Sequence, residues 1–322
     1  MVIILAVTAP AFAQTADKIT VGFLVGVSGL GDQSFNDMTY AGLFKLKKEH
    51  DFRLLFEDSE NNDQAFDASM QRLINKGSNI IVANGFYMKE LVEKYAKLHP
   101  NINFILQDAT VNGLENVVSI LYSVNEGSFL AGAFAGLMTR SRHVGFIGGV
   151  DVPIMHMFSA GFIEGVEYIN PRVSVKEQFI SIAPDFSGFR NPSEGHRIAM
   201  EFYDENIDII FSAAGLSGNG VIQAAKQKGR FAIGVDSDQD HLAKGKVLTS
   251  MMKRLDIATY TEVKKIINGE FNHGTVSYGL AENGVGLSPM DFTQHLIPES
   301  VMNRLEQIRT DIIKGKIKVH TH

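Results

Sequence analysis

Short apolar runs and stretches of helical length alternate along this chain, and the whole alternation occurs twice. That regularity constrains the fold most, because strand–helix–strand units close into parallel sheets through right-handed crossovers. In the first series, strands are predicted at 18–27, 52–58, 79–85, 102–108 and 117–122. Each is rich in Val, Ile and Phe, as parallel strands buried on both faces require. Helices are predicted between them at 34–49, 63–76 and 88–98. After a helix at 125–139 the second series begins, with strands at 143–148, 173–180, 207–213, 231–235 and 247–251. Its helices fall at 158–168, 192–205 and 220–228. In the tail, 299–314, Val301, Leu305, Ile308 and Ile312 lie on one stripe and read as a last helix. A length of 322 residues suits two domains of about 150 residues each. The fold class is therefore α/β, with two doubly wound parallel-sheet lobes.

Charge and composition exclude several functions. The formal net charge is −6 and no long basic run occurs, so no nucleic-acid partner is expected, since that needs clustered Lys and Arg. The absence of cysteine rules out disulfides and thiolate metal sites. Residues 2–7 form a short apolar run, followed by Ala11-Phe12-Ala13 and the polar Gln14. This pattern reads as an export signal, 1–13, cleaved after Ala13. No later stretch reaches the roughly 18 apolar residues of a membrane-spanning helix.

In open α/β sheets, ligands bind beyond the carboxyl ends of strands. The loops to inspect are 28–36, 59–63, 84–87, 108–110, 149–158, 183–192, 215–220 and 236–240. They combine glycines, polar groups and aromatics, as a binding cleft does. The first has the glycine order G-x-x-G-x-G, which is not the dinucleotide fingerprint. Ser34 and Asp37 form an S-x-x-D capping box, which accounts for Ser34. Core packing explains Phe35 as well as ligand stacking does, because Met38, Gly42 and Leu46 share its helical face. The run Gly215-Leu-Ser-Gly-Asn-Gly220 resembles a nucleophile elbow but has Asn219 where that motif needs its last glycine. Asp236-Ser-Asp-Gln-Asp240 could accept the two hydroxyls of a vicinal diol or cap a helix. It lacks the bidentate Glu of a calcium loop. Met155-His-Met157 reads as core.

Several stretches together resemble one family. They are Asp-Gln-Ser-Phe-Asn (32–36), Ser-Phe-Leu-Ala-Gly-Ala (128–133), Val-Gly-Phe-Ile-Gly-Gly (144–149), Ile-Phe-Ser-Ala-Ala-Gly (210–215), Ile-Gly-Val-Asp-Ser-Asp-Gln (233–239) and Leu-Thr-Ser-Met-Met-Lys (248–253). Their order is similar to that in the basic membrane protein family of ABC-transporter substrate-binding lipoproteins, whose best-understood members bind purine nucleosides. The resemblance implies a type I periplasmic-binding-protein fold with three hinge crossovers. One lobe would comprise 18–122 plus 254–275, the other 123–253 plus 276–315. It also implies roles. Phe35 would stack on one face of a base and Phe189, or Phe186, on the other. Asn36 and Asp108 would hydrogen-bond the ligand, and Asp236 and Lys253 would hold ribose hydroxyls beside Gly215. Asp32 and Asn84 complete the expected ligand-binding set.

Two departures stand out. Gly26 occupies a place where the family commonly carries Asp, so the identity of the base is left open. The loop 183–192 is about two residues longer than usual. No lipobox cysteine is present either. The expected function is a non-enzymatic, monomeric solute-binding protein of the periplasm, needing no cofactor and docking an ABC permease of the inner membrane. Its ligand is a purine nucleoside or, alternatively, riboflavin, a sugar or another small polar molecule. A nucleotide-dependent enzyme of dehydrogenase type is the rival class, opposed by the failed fingerprint and the export signal.

Overall fold

The computed structural model describes residues 18–58 and 63–320. The export segment 1–13 and most of the loop 59–63 lie outside the described residues.

The first lobe starts with β1 (Thr20–Leu24), α1 (Phe35–Glu49), β2 (Arg53–Glu57), α2 (Asp63–Asn75) and β3 (Ile80–Ala83). It continues through α3 (Lys89–Leu98), β4 (Asn103–Gln107) and β5 (Val117–Tyr122). The second lobe holds α4 (Val124–Met138), β6 (His143–Asp151), α5 (Pro153–Ile169), β7 (Ser174–Ile182), α6 (Pro192–Asp204), β8 (Ile209–Ala213) and α7 (Ser217–Lys228). It then runs through β9 (Phe231–Asp236) and β10 (Val247–Lys253). The chain returns to the first lobe with α8 (Leu255–Ile267) and β11 (Gly274–Tyr278), and ends in the second with β12 (Val285–Leu287) and α9 (Glu299–Ile313).

Among the described residues the strand orders are β11-β5-β4-β3-β1-β2 and β12-β10-β9-β8-β6-β7. All pairings in the first sheet are parallel. In the second, only β12 runs antiparallel, against β10. The order reverses at β1 and at β6, the first strand of each lobe, and crevices open beside such switch points. Strands β1 and β3 are wholly buried because helices cover both faces of their sheet. The chain passes between lobes after Tyr122, after Lys253 and after Tyr278.

The structure departs from the sequence reading in the middle and near the end. Strand β6 extends to Asp151, and α5 begins at Pro153, five residues before the expected start. Proline suits that first turn, where no intrahelical partner for an N–H exists. The elements α8, β11 and β12 had no predicted counterpart. The edge strand β11 alternates between half-buried and exposed residues, and β12 has three residues, so neither carries a strong apolar run.

Candidate functional site

The loops beyond β1, β3, β4, β6, β7, β8, β9 and β10 meet across the crevice between the lobes. They line a cavity whose space, open solvent at its mouth included, is about 560 Å³. Phe35, Gly85, Phe86, Tyr87, Asp108 and Val27 line it from the first lobe. Met155, Phe158, Phe189, Gly215, Asp236 and Lys253 line it from the second.

Three charged groups converge here. Lys253, the last residue of β10, is 2% exposed. Its Nζ donates to Asp108 Oδ2 at 2.6 Å across the lobes. The same ammonium lies 4.8 Å from the Phe35 ring centroid and 4.9 Å from that of Tyr122, close enough for attraction to both ring faces. Asp108 Oδ1 is buried without a partner, a costly state that a ligand donor would relieve. Asp236 ends β9 in the second lobe, and its Oδ2 accepts the Ser34 hydroxyl from the first lobe at 2.5 Å. Burial pushes the Asp236 carboxyl up to about 6, although Lys253 and the Ser34 hydrogen bond both pull it down. Asp108 and Asp236 both adopt left-handed backbone, with φ of 66° and 65°. Such conformations are uncommon outside glycine and collect at functional sites.

Other expected residues stand one layer back. Asp32 is wholly buried and organises the start of α1. Its carboxylate accepts the N–H groups of Ser34, Asn36 and Asp37. It also accepts the Ser28 hydroxyl and the Asn36 side-chain amide. Asn36 Oδ1 accepts the Gly26 N–H at 2.7 Å and the Asn84 amide at 2.8 Å. Asn84 Oδ1 accepts the Thr39 hydroxyl. The polar atoms of Asp32, Asn36 and Asn84 are thus engaged within the first lobe, and none of the three lines the cavity. They hold the turn that presents Phe35.

The capping-box reading of Ser34 is corrected. Its side chain makes no capping hydrogen bond. Asp32 supplies the cap, which leaves the Ser34 hydroxyl free to cross the cleft to Asp236. Beside it the Gln33 carbonyl accepts from the Ser237 hydroxyl and, at 3.1 Å, from the Gln239 amide. The lobes are therefore closed on one another.

Of the two aromatic candidates in the loop 183–192, Phe189 lines the cavity and Phe186 does not. They are the first and last residues of a short 3₁₀ turn, Phe186–Phe189. Phe186 packs instead across the lobes on Phe86 and Tyr87, with centroids 5.9 and 5.2 Å apart. The loops holding Phe86, Tyr87 and Phe158 are among those the sequence points to, but these residues do not stand out in it, and Met155, which reads as core, also lines the cavity. Aromatics and Met just after strands were their only signal. Gly26 has no room for the carboxylate side chain that the resemblance leads one to expect there. A Cβ there would sit 2.6 Å from Tyr87 Oη and 2.6 Å from Asn84 O. The described residues include no group of three or more His, Cys, Asp or Glu able to hold a metal ion. No helix among them is long and apolar enough to cross a membrane.

A family model described as Bmp, ABC transporter substrate-binding protein PnrA-like, matches residues 19–322. The "CD4+ T-cell-stimulating antigen" of Listeria monocytogenes is 33% identical, over 95% of this chain and 89% of the relative. The "ABC transporter nucleoside-binding protein BmpA" of Lactococcus lactis is 27% identical, over 91% of this chain and 86% of the relative. The solved structure of an ABC transporter solute-binding protein from Aeropyrum pernix superposes with a TM-score of 0.84 at 26% identity, covering 94% of each chain.

Proposed function

The chain belongs to the Bmp family of ABC transporter substrate-binding proteins, and on that premise we propose that it clamps a purine nucleoside, or a closely related ribose-bearing ligand, between its lobes. In this reading the protein is exported to the periplasm and delivers the ligand to an ABC permease of the inner membrane.

One observation carries the ligand assignment. A single cavity joins the aromatic rings of Phe35 and Phe189 to a buried Asp108–Lys253–Asp236 group that retains an unsatisfied carboxylate oxygen. A nucleoside has the matching two halves. Its base offers flat faces for the rings. Its ribose offers vicinal hydroxyls that donate to carboxylates and accept from an ammonium. The name of the Lactococcus lactis relative supports the same class.

Micromolar affinity needs about −8 kcal/mol. Two stacking contacts at ~1–3 kcal/mol each, with charge-assisted hydrogen bonds, reach that range after ordering costs. Isothermal titration with adenosine, guanosine, inosine, ribose and riboflavin tests the assignment. Heat with the nucleosides, and much weaker heat with ribose, is expected. A response to riboflavin or ribose alone would replace the nucleoside with that ligand.

A further inference from the structure

Tyr87 belongs to no motif, yet three observations converge on it. First, it lines the cavity. Second, its hydroxyl serves the backbone: it accepts the Val27 N–H at 2.8 Å and donates to the Asn84 carbonyl at 3.2 Å. The phenol's only proton is thereby used, and burial pushes its ionisation far above the ordinary value, so it stays neutral. Third, two glycines make its seat. A Cβ at Gly26 would meet Tyr87 Oη at 2.6 Å, and one at Gly85, where φ is +136°, would meet the ring at 2.6 Å. Tyr87 therefore fills the volume that a side chain from the end of β1 would enter. Phe66 and Phe86 brace the ring within the first lobe, at 5.7 and 5.3 Å between centroids, and Phe186 packs on it from the second.

We infer that Tyr87 is a specificity-determining residue, which walls the β1 side of the cavity with a ring face in place of a polar side chain. This wall selects the flat half of the ligand by size and not by hydrogen bonds to its edge. The inference rests on the nucleoside reading and deepens it. Rings of purine size are admitted whatever their exocyclic groups at this wall, and longer rings are refused. The charged group formed by Asp108, Asp236 and Lys253 does the polar reading.

The test is isothermal titration of the wild type, Tyr87→Phe and Tyr87→Leu with four probes. Adenosine and purine riboside differ by one amino group. N6-benzyladenosine and 8-phenyladenosine are extended at different edges. Wild type and Tyr87→Phe should bind adenosine and purine riboside within about fivefold of each other, below the tenfold that 1.4 kcal/mol represents. In Tyr87→Leu, the affinity of at least one extended analogue relative to adenosine should rise by about tenfold or more. A changed preference between adenosine and purine riboside in Tyr87→Phe would show that the hydroxyl reads the ring, and would overturn the inference. So would unchanged ratios for both extended analogues in Tyr87→Leu. Absence of heat with adenosine in the wild type overturns the nucleoside reading first, and this inference with it.

Discussion

The hydroxyl of Ser34 donates to Asp236 across the cleft, joining the residue just before α1 to the end of β9 over 202 positions of sequence. This bond touches both the closed state and the charge of a buried carboxylate. Removing the donor leaves the Asp236 anion less stabilised. In Ser34→Ala the Asp236 pKa should therefore rise above its present value of about 6. If an ionised Asp236 accepts ligand hydroxyls, nucleoside affinity falls as pH drops through that pKa. The midpoint of affinity against pH should then lie higher in the variant than in the wild type. Titration calorimetry between pH 5 and 8 reads this directly, and coincident midpoints would refute the link.

Asp236 also predicts a pH dependence of stability. Its folded pKa of about 6 stands above the ordinary 3.8, so the folded protein holds this proton more tightly than the unfolded chain does. The stability tied to this group is complete below pH ~4 and is lost as pH rises through about 6. A shift of about two units amounts to roughly 3 kcal/mol. Asp236→Asn cannot ionise and escapes that cost. The variant should be more stable than the wild type at pH 8, by up to about 3 kcal/mol, with the gap closing near pH 4. Urea unfolding at both pH values measures the gap, and a gap equal at the two would contradict the assignment.

The Lys253–Asp108 pair should show strong coupling. Their side chains are 3% and 6% exposed. Lys253→Met leaves Asp108 as a buried charge without its partner, a loss of about 3–5 kcal/mol. Asp108→Asn in the same chain removes the orphaned charge and should recover much of that loss. A double-mutant cycle by urea denaturation reports the coupling. Simple additivity would mean that the two groups act independently. Ligand affinity should stay low in all three variants, because each lacks a group that faces the cavity.

The aromatic side chains divide by position. Phe35 and Phe189 line the cavity, whereas Phe186 bridges the lobes without lining it. Truncating either of the first two to Ala should weaken nucleoside binding by about 1–3 kcal/mol. Phe186→Ala should have a smaller effect on equilibrium affinity and should speed dissociation, since it loosens closure. Stopped-flow displacement alongside calorimetry separates the two behaviours. A loss in Phe186→Ala as large as in Phe189→Ala would mean that Phe186 covers the ligand after all.

Much of this molecule is determined by sequence alone. Runs such as Val21, Phe23 and Leu24, or Ile80, Ile81 and Val82, are apolar on both faces, as parallel strands covered by helices on either side require. Two lobes, cleft loops beyond the strand ends, and the aspartates just after β4 and at the end of β9 follow from that local pattern. The sequence was silent where pattern is weak, as in the three-residue β12 and the half-exposed β11.

Tertiary structure alone decided which polar residues face the cavity. Asp32, Asn36 and Asn84 are as polar as Asp108 and Asp236, and they occupy the same kind of loop. What separates them is hydrogen-bond partners brought from distant segments. Asn36 and Asn84 satisfy each other and the end of β1, while Asp108 keeps an oxygen unpaired. The same holds for Ser34, whose local cap is taken by Asp32 and whose hydroxyl then finds Asp236 in the other lobe. Local sequence sets which groups can donate or accept. Only the closed fold, by using up some of them, determines which remain for a ligand.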